Sequence, residues 1–164
     1  METGTETFNR VKDILKRLGL EITKEDTSRP WGGFYVISEN QSQRFIEQFF
    51  PDEDPVSLSL SGKLSPKILM VAPHKRLSWQ YHFRRAEIWR CVEGPVAVAS
   101  SDTDEEMNQY TLREGDKICL DQGQRHRLIG LNTWGVIAEI WRHTDAQHPS
   151  NEDDIVRLQD DFGR

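Results

Sequence analysis

Four residues in this chain have the types and the spacing to hold a metal ion. Gln80 and His82 stand two apart in Ser78-Trp79-Gln80-Tyr81-His82-Phe83-Arg84-Arg85-Ala86-Glu87. On a β-strand, residues two apart project from the same face, so the amide and the imidazole point one way. Glu87 follows a tight turn at the start of the next strand, and returns to that face if the two strands pair. A second segment, Gly115 to His126, opens a strand at Gly115, turns at Gly123 and begins a returning strand with His126. That places His126 opposite the first segment. Two imidazoles, one carboxylate and one amide oxygen make a mixed nitrogen and oxygen donor set, suited to Zn2+ and also to Mn2+, Co2+, Fe2+ or Ni2+. His74, His143 and His148 match no ligand spacing and are expected at the surface.

The elements that must position these residues are short strands. Apolar runs of strand length occur at Phe34–Ile37, Ile68–Val71, Ile88–Val92, Val96–Ala99, Tyr110–Leu112, Ile118–Leu120, His126–Ile129 and Val136–Trp141. Glu93-Gly94-Pro95, Glu114-Gly115-Asp116, Gln122-Gly123 and Leu131-Asn132 punctuate them as turns. Short strands without intervening helices predict an all-β antiparallel sandwich or barrel. Ahead of them, Phe8, Val11, Ile14, Leu15 and Leu18 share one face of a helix over Thr7–Leu18 that stops at Gly19. Residues 1–26 are read as an N-terminal helical extension and 27–164 as the β domain. Between Gln41 and Pro66 a short helix and a loop are expected, bordering a ligand mouth or a dimer contact. The acidic tail from Asn151 adds an edge strand or a helix.

Composition narrows the function classes. A chain of 164 residues suits one domain with a real core, and its net charge of −6 argues against a phosphate-backbone partner such as nucleic acid. No apolar stretch approaches a membrane span, and Met1–Asn9 has no signal-like apolar region, so a cytoplasmic protein is expected. Cys91 and Cys119 stand alone in strand-like runs and are read as reduced, buried and structural.

The two ligand segments resemble the paired motifs of the cupin superfamily. The first usually has His-x-His, then Glu, then Gly; here Gln80, His82, Glu87 and Gly94 stand in those places. The second usually runs from Gly through Pro-x-Gly to His; here Gly115, Gly123 and His126 match, with Asp121 in place of Pro. More narrowly, the chain resembles the cupin domain of type II phosphomannose isomerases. Arg29-Pro30-Trp31-Gly32, Leu77-Ser78-Trp79-Gln80-Tyr81-His82, Arg85-Ala86-Glu87 with Trp89, and Glu152-Asp153-Asp154-Ile155-Val156-Arg157 through Phe162-Gly163-Arg164 carry that likeness. Glutamine in place of the first histidine is usual there. The departures are Phe83, Arg84 and Ile88, where further histidines are common, and Asp121.

The resemblance implies a double-stranded β-helix, the jelly-roll barrel, and a divalent metal with Zn2+ first among the choices. It implies aldose–ketose isomerisation of a small sugar phosphate, with mannose 6-phosphate and fructose 6-phosphate the default pair, and an expected homodimer. Arg85 takes a role in proton transfer or substrate binding by that likeness. The phosphate needs cationic donors, for which Arg29, Lys67 and Arg127 are candidates. A metal-bound water, a neighbour of His82 or a carboxylate such as Glu139 would remove the proton. Trp31, Trp79 and Trp89 flank the motifs as core or as walls of a sugar site. Competing readings are a non-catalytic sugar-binding cupin, a metal-dependent isomerase or epimerase of another sugar, and an oxygen-using cupin.

Overall fold

The computed structural model describes residues 1–59 and 62–164. Its first helix, α1 (Gly4–Arg17), begins earlier than the apolar spacing indicates. The cause is a capping box: the Thr3 hydroxyl accepts from the Glu6 amide at 3.1 Å, and the Glu6 carboxylate accepts from the Thr3 amide at 3.0 Å. Gly19, at φ 71°, ends the turn that follows.

Among the described residues eleven strands follow: β1 (Ile22–Arg29), β2 (Gly32–Ile37), β3 (Lys67–Val71), β4 (Trp79–Tyr81), β5 (Arg85–Glu93), β6 (Val96–Ser101), β7 (Asn108–Leu112), β8 (Lys117–Leu120), β9 (Arg125–Gly130), β10 (Gly135–His143) and β11 (Val156–Gln159). They form a six-stranded sheet in the order β1-β2-β3-β10-β5-β8 and a five-stranded sheet in the order β11-β4-β9-β6-β7. All the pairings are antiparallel. Each of the eight apolar runs overlaps one strand, and the tail supplies β11 as an edge strand on β4. β1 was not anticipated. Its sequence, ITKEDTSR, is largely exposed and polar on both faces, so no alternation marks it.

The central strands of the six-stranded sheet are covered on both sides, and strict alternation sorts their residues. Leu69, Val71, Trp89, Cys91 and Ile137 face inward and pack with Val96, Val98 and Leu128 of the other sheet. Ile68, Met70, Ile88, Ala138 and Ile140 face outward and meet Val11 and Leu15 of α1. Phe45, Ile46 and Phe49, on α2 (Ser42–Phe49), and Leu58, on α3 (Pro55–Leu58), complete that outer layer together with Phe50. Phe45 and Phe50 are fully buried, and each such ring contributes about 2–3 kcal/mol of transfer free energy. The 42–59 segment therefore covers the back of the sheet and supplies no residue to the cavity described below, contrary to a place at a ligand mouth. Asp52 and Glu53 fasten it there by ion pairs to Arg90 on β5 and Lys117 on β8. Residues 60 and 61, also within the segment expected to be helix and loop, lie outside the described residues.

The Arg-Pro-Trp-Gly stretch is the connection from β1 to β2. Gly32 has φ 145°, and a Cβ there would lie 2.0 Å from the Met70 carbonyl oxygen, so only glycine lets β2 approach β3 this closely while Trp31 turns inward. Two expectations about burial need correction. Cys119 is exposed, because it points away from Ile118 and Leu120 on an edge strand; Cys91 is buried as expected. His143 is buried, because it shares the inward parity of Glu139 and Trp141 on β10. Among the described residues, no helix is long and apolar enough to cross a membrane.

Candidate metal centre

Register brings the ligand candidates together. Gln80 on β4 lies opposite His126 on β9, and Glu87 on β5 lies between Trp141 on β10 and Leu120 on β8. His82 sits just past β4, at the turn into β5. His82, Glu87 and His126 are all buried, and one donor atom from each lies within 4.8 Å of the others, a group that can hold a metal ion. The Glu87 carboxylate oxygen is 2.9 Å from His126 Nε2 and 3.6 Å from His82 Nε2. Gln80 lines the same cavity, and its amide nitrogen donates to the Ser78 carbonyl at 3.3 Å, which leaves its amide oxygen available.

The donor chemistry of this group fits a cation. His82 Nδ1 is 2.7 Å from the Asp154 carbonyl oxygen, and His126 Nδ1 is 3.0 Å from the Gln124 carbonyl oxygen. A carbonyl only accepts, so each Nδ1 carries a proton and each ring turns its Nε2 toward Glu87. Burial pushes the His82 pKa down, against the pull of Glu87, so this ring stays neutral. Burial by itself would raise the Glu87 carboxyl, but the positive charge of Arg85 beside it leads the opposing causes, and Glu87 stands well below the usual range. Two ring nitrogens and an anionic oxygen thus converge, a donor set that a divalent ion satisfies.

Arg85 braces this group. Its Nε donates to Glu87 at 3.2 Å, its Nη2 lies 3.3 Å from His82 Nε2, and its Nη1 donates to Ser150 Oγ at 2.8 Å and to the Asn151 carbonyl at 3.0 Å. The guanidinium stacks 3.6 Å above the Trp141 ring. Beside it, Glu139 is buried and accepts from two indoles, Trp89 Nε1 and Trp141 Nε1, each at 2.8 Å. Burial, then the negative charge of Glu87, push the Glu139 carboxyl up to about 7.

The cavity runs from this group to solvent. Trp31, Phe34, Leu69 and Trp89 form apolar wall, and Trp79 lies outside it, its Nε1 donating to the Asp104 carbonyl at 2.6 Å. Lys67 is buried in the wall, paired with Glu152 at 2.7 Å and lying 4.8 Å and 5.0 Å over the Phe34 and Trp141 rings. Arg29 stands at the mouth, 3.0 Å from Asp26. Arg127 is not brought there. On β9 it points oppositely to His126, and it is buried between the Leu77 carbonyl, Glu106 and Gln159. Its candidacy for the phosphate site is withdrawn on that geometry.

Arg157 on β11 and Arg164 join the mouth, both exposed and both lining the cavity, and no ligand spacing marks them. The only signal was their place in the tail signature. His74 and His148 are exposed as expected. His143 instead accepts from the Ser150 amide at 3.0 Å through Nδ1, so its Nε2 carries the proton and donates to Ser65 Oγ at 3.0 Å. That direction makes it a tether for Ser65 and not a base acting on it.

Comparison with known proteins agrees with this geometry. Among solved structures, the capsular polysaccharide assembling protein CapF from Staphylococcus aureus superposes with a TM-score of 0.55 at 15% identity, covering 85% of this chain and 34% of its own. A recombinant oxalate oxidase gives 0.54 at 19% identity, covering 84% and 61%. These share the two-sheet barrel fold of this chain. Among sequences, the alginate biosynthesis protein AlgA of Pseudomonas aeruginosa is 30% identical over 125 residues, 76% of this chain and 24% of that protein. A mannose-1-phosphate guanylyltransferase of Sinorhizobium fredii is 26% identical over 167 residues, 95% of this chain and 26% of that protein. This chain thus spans about a quarter of the length of these relatives. The family model described as mannose-6-phosphate isomerase C-terminal matches residues 43–160, and the chain belongs to that family.

Proposed function

We propose that this protein is a metal-dependent aldose–ketose isomerase of sugar phosphates, with mannose 6-phosphate and fructose 6-phosphate as its pair. One observation carries the reading: Glu87 and His126 of the buried His82–Glu87–His126 group line a cavity that also has a buried carboxyl with its pKa pushed up to about 7 in its wall and exposed arginines at its mouth. Those are the three tools that moving a proton between C1 and C2 of a phosphorylated sugar requires.

Gln80, His82, Glu87 and His126 would hold the ion, Zn2+ being the first expectation and Mn2+, Co2+, Fe2+ or Ni2+ the others. When bound, it supplies Lewis acidity toward the sugar oxygens. Arg85 adds fixed positive charge where the enediolate oxygen develops. Glu139 takes the proton from C2 of the aldose, the C–H electron pair becomes the C1–C2 double bond and the C1 carbonyl pair moves onto O1; a proton passes from the C2 hydroxyl to O1, and the same carboxyl returns its proton to C1 as the O2 pair forms the carbonyl at C2. Two indole N–H groups hold that carboxyl in place. Trp31, Phe34 and Trp89 exclude water from the reacting carbons. Arg29, Arg157 and Arg164 bind the phosphate.

Arg157→Ala is expected to raise KM for mannose 6-phosphate about tenfold with a small change in kcat, since a charged hydrogen bond to phosphate contributes about 1.5–3 kcal/mol and this one is exposed. An unchanged KM would remove Arg157 from the phosphate site. The reading as a whole is tested by a coupled assay of the purified protein over a panel of aldose phosphates, with Zn2+, Mn2+ or Co2+ added or chelated. Metal-dependent conversion of mannose 6-phosphate is the expected result. Bound metal without turnover on any sugar phosphate would overturn the isomerase and favour a sugar-binding module.

A further inference from the structure

We infer that Asp154, which lies outside the cavity, is the positioning residue of the metal centre: it aims His82 and braces Arg85. This rests on the reading of His82, Glu87 and His126 as metal ligands. Asp154 precedes β11, and its side chain has no solvent exposure. It reaches the centre by two routes. Its backbone carbonyl accepts from His82 Nδ1 at 2.7 Å, which fixes the tautomer and the plane of the ring. Its carboxylate accepts from the Ser150 hydroxyl at 2.6 Å, and that hydroxyl in turn accepts from Arg85 Nη1 at 2.8 Å. Arg85 then holds Glu87.

The same carboxylate fastens the ligand turn. The amides of Phe83 and Arg84 donate to its two oxygens at 2.9 Å and 3.0 Å. These residues lie between β4 and β5, where no sheet ladder serves them, so a buried acceptor must. Pairing of Val156 with Tyr81 and of Arg157 with Gln80 zips the following strand onto β4. One short stretch of the tail therefore sets the geometry of a ligand more than seventy residues earlier in the chain. A purely structural cap would steady the turn, and its loss would lower the melting temperature alone. A positioning residue also changes how the folded protein binds metal.

The test is titration of the 164-residue chain with Co2+, followed by its visible absorption and by competition with a chelator, in the wild type, Asp154→Asn, Ser150→Ala and the control Glu93→Gln, which removes an ion pair to Arg10 remote from the centre. Asp154→Asn is expected to weaken Co2+ binding about 10–100-fold and to shift the absorption band. Ser150→Ala, which keeps the turn amides paired, is expected to weaken it about three- to tenfold. Glu93→Gln leaves both unchanged. Wild-type affinity and spectrum in Asp154→Asn and Ser150→Ala would overturn the proposal. If Asp154→Asn does not fold, Ser150→Ala decides it alone. If the wild type binds no Co2+, the ligand reading fails and takes this inference with it.

Discussion

Glu87→Gln is expected to abolish metal retention and to lower turnover of mannose 6-phosphate about a thousandfold. Glu87 is the one carboxylate in the ligand group, and His82 and His126 both face it. The substitution keeps the shape but removes the anion, leaving Arg85 buried beside two imidazoles, so a divalent ion would meet uncompensated positive charge. Breaking a buried pair in this way also costs about 3–5 kcal/mol of stability, so the melting temperature falls too. Metal content after dialysis, measured on the folded fraction, separates the two effects. A variant that keeps stoichiometric metal and wild-type turnover would place the centre elsewhere.

Glu139→Gln is expected to keep the metal and to lose about 10²–10⁴-fold in kcat. The amide fills the same space between Trp89 and Trp141 but accepts no proton from carbon. The pH profile gives the sharper signature. Only the ionised carboxyl acts as a base, and its pKa is pushed up to about 7, so wild-type activity declines as pH falls below that value. In the glutamine variant that limb disappears from the residual rate. Stability carries the opposite sign. A folded pKa above the ordinary glutamate value of 4.5 means that the folded state holds the proton more tightly, so this group's contribution is full below pH 4.5 and is lost as pH rises through 7. Wild type should lose stability across that window relative to Glu139→Gln. A rate profile with no limb near neutrality, together with parallel stability curves, would remove Glu139 from the mechanism.

Much of the centre was legible because strand periodicity is a geometric code. The spacing of Gln80 and His82, and the turn before His126, were enough to predict that these residues meet. The same parity, applied further, would have turned His143 inward with Glu139 and Trp141, Arg127 outward from His126, and Cys119 away from Ile118 and Leu120. What parity cannot encode is contact made by irregular chain. Asp154 holds its partners through a loop, and Phe45 and Phe50 have the same apolar character whether they line a mouth or cover a sheet. β1 escaped notice because an exposed polar edge strand has nothing to alternate.

The two-sided burial of β5 has a consequence for how the protein must fold. Arg85, Glu87, Trp89 and Cys91 face the cavity, while Ala86, Ile88 and Arg90 face the helical layer. Slipping the pairing with β10 by one residue would drive the carboxylate and the guanidinium into the packing of Phe45, Ile46 and Met70, and aim Ile88 at the histidines. Such a chain could neither bury its charges nor close its outer layer. The groups that equip the cavity for chemistry thus also act as a proofreading device for assembly, because a misaligned strand exposes its own error before the barrel closes.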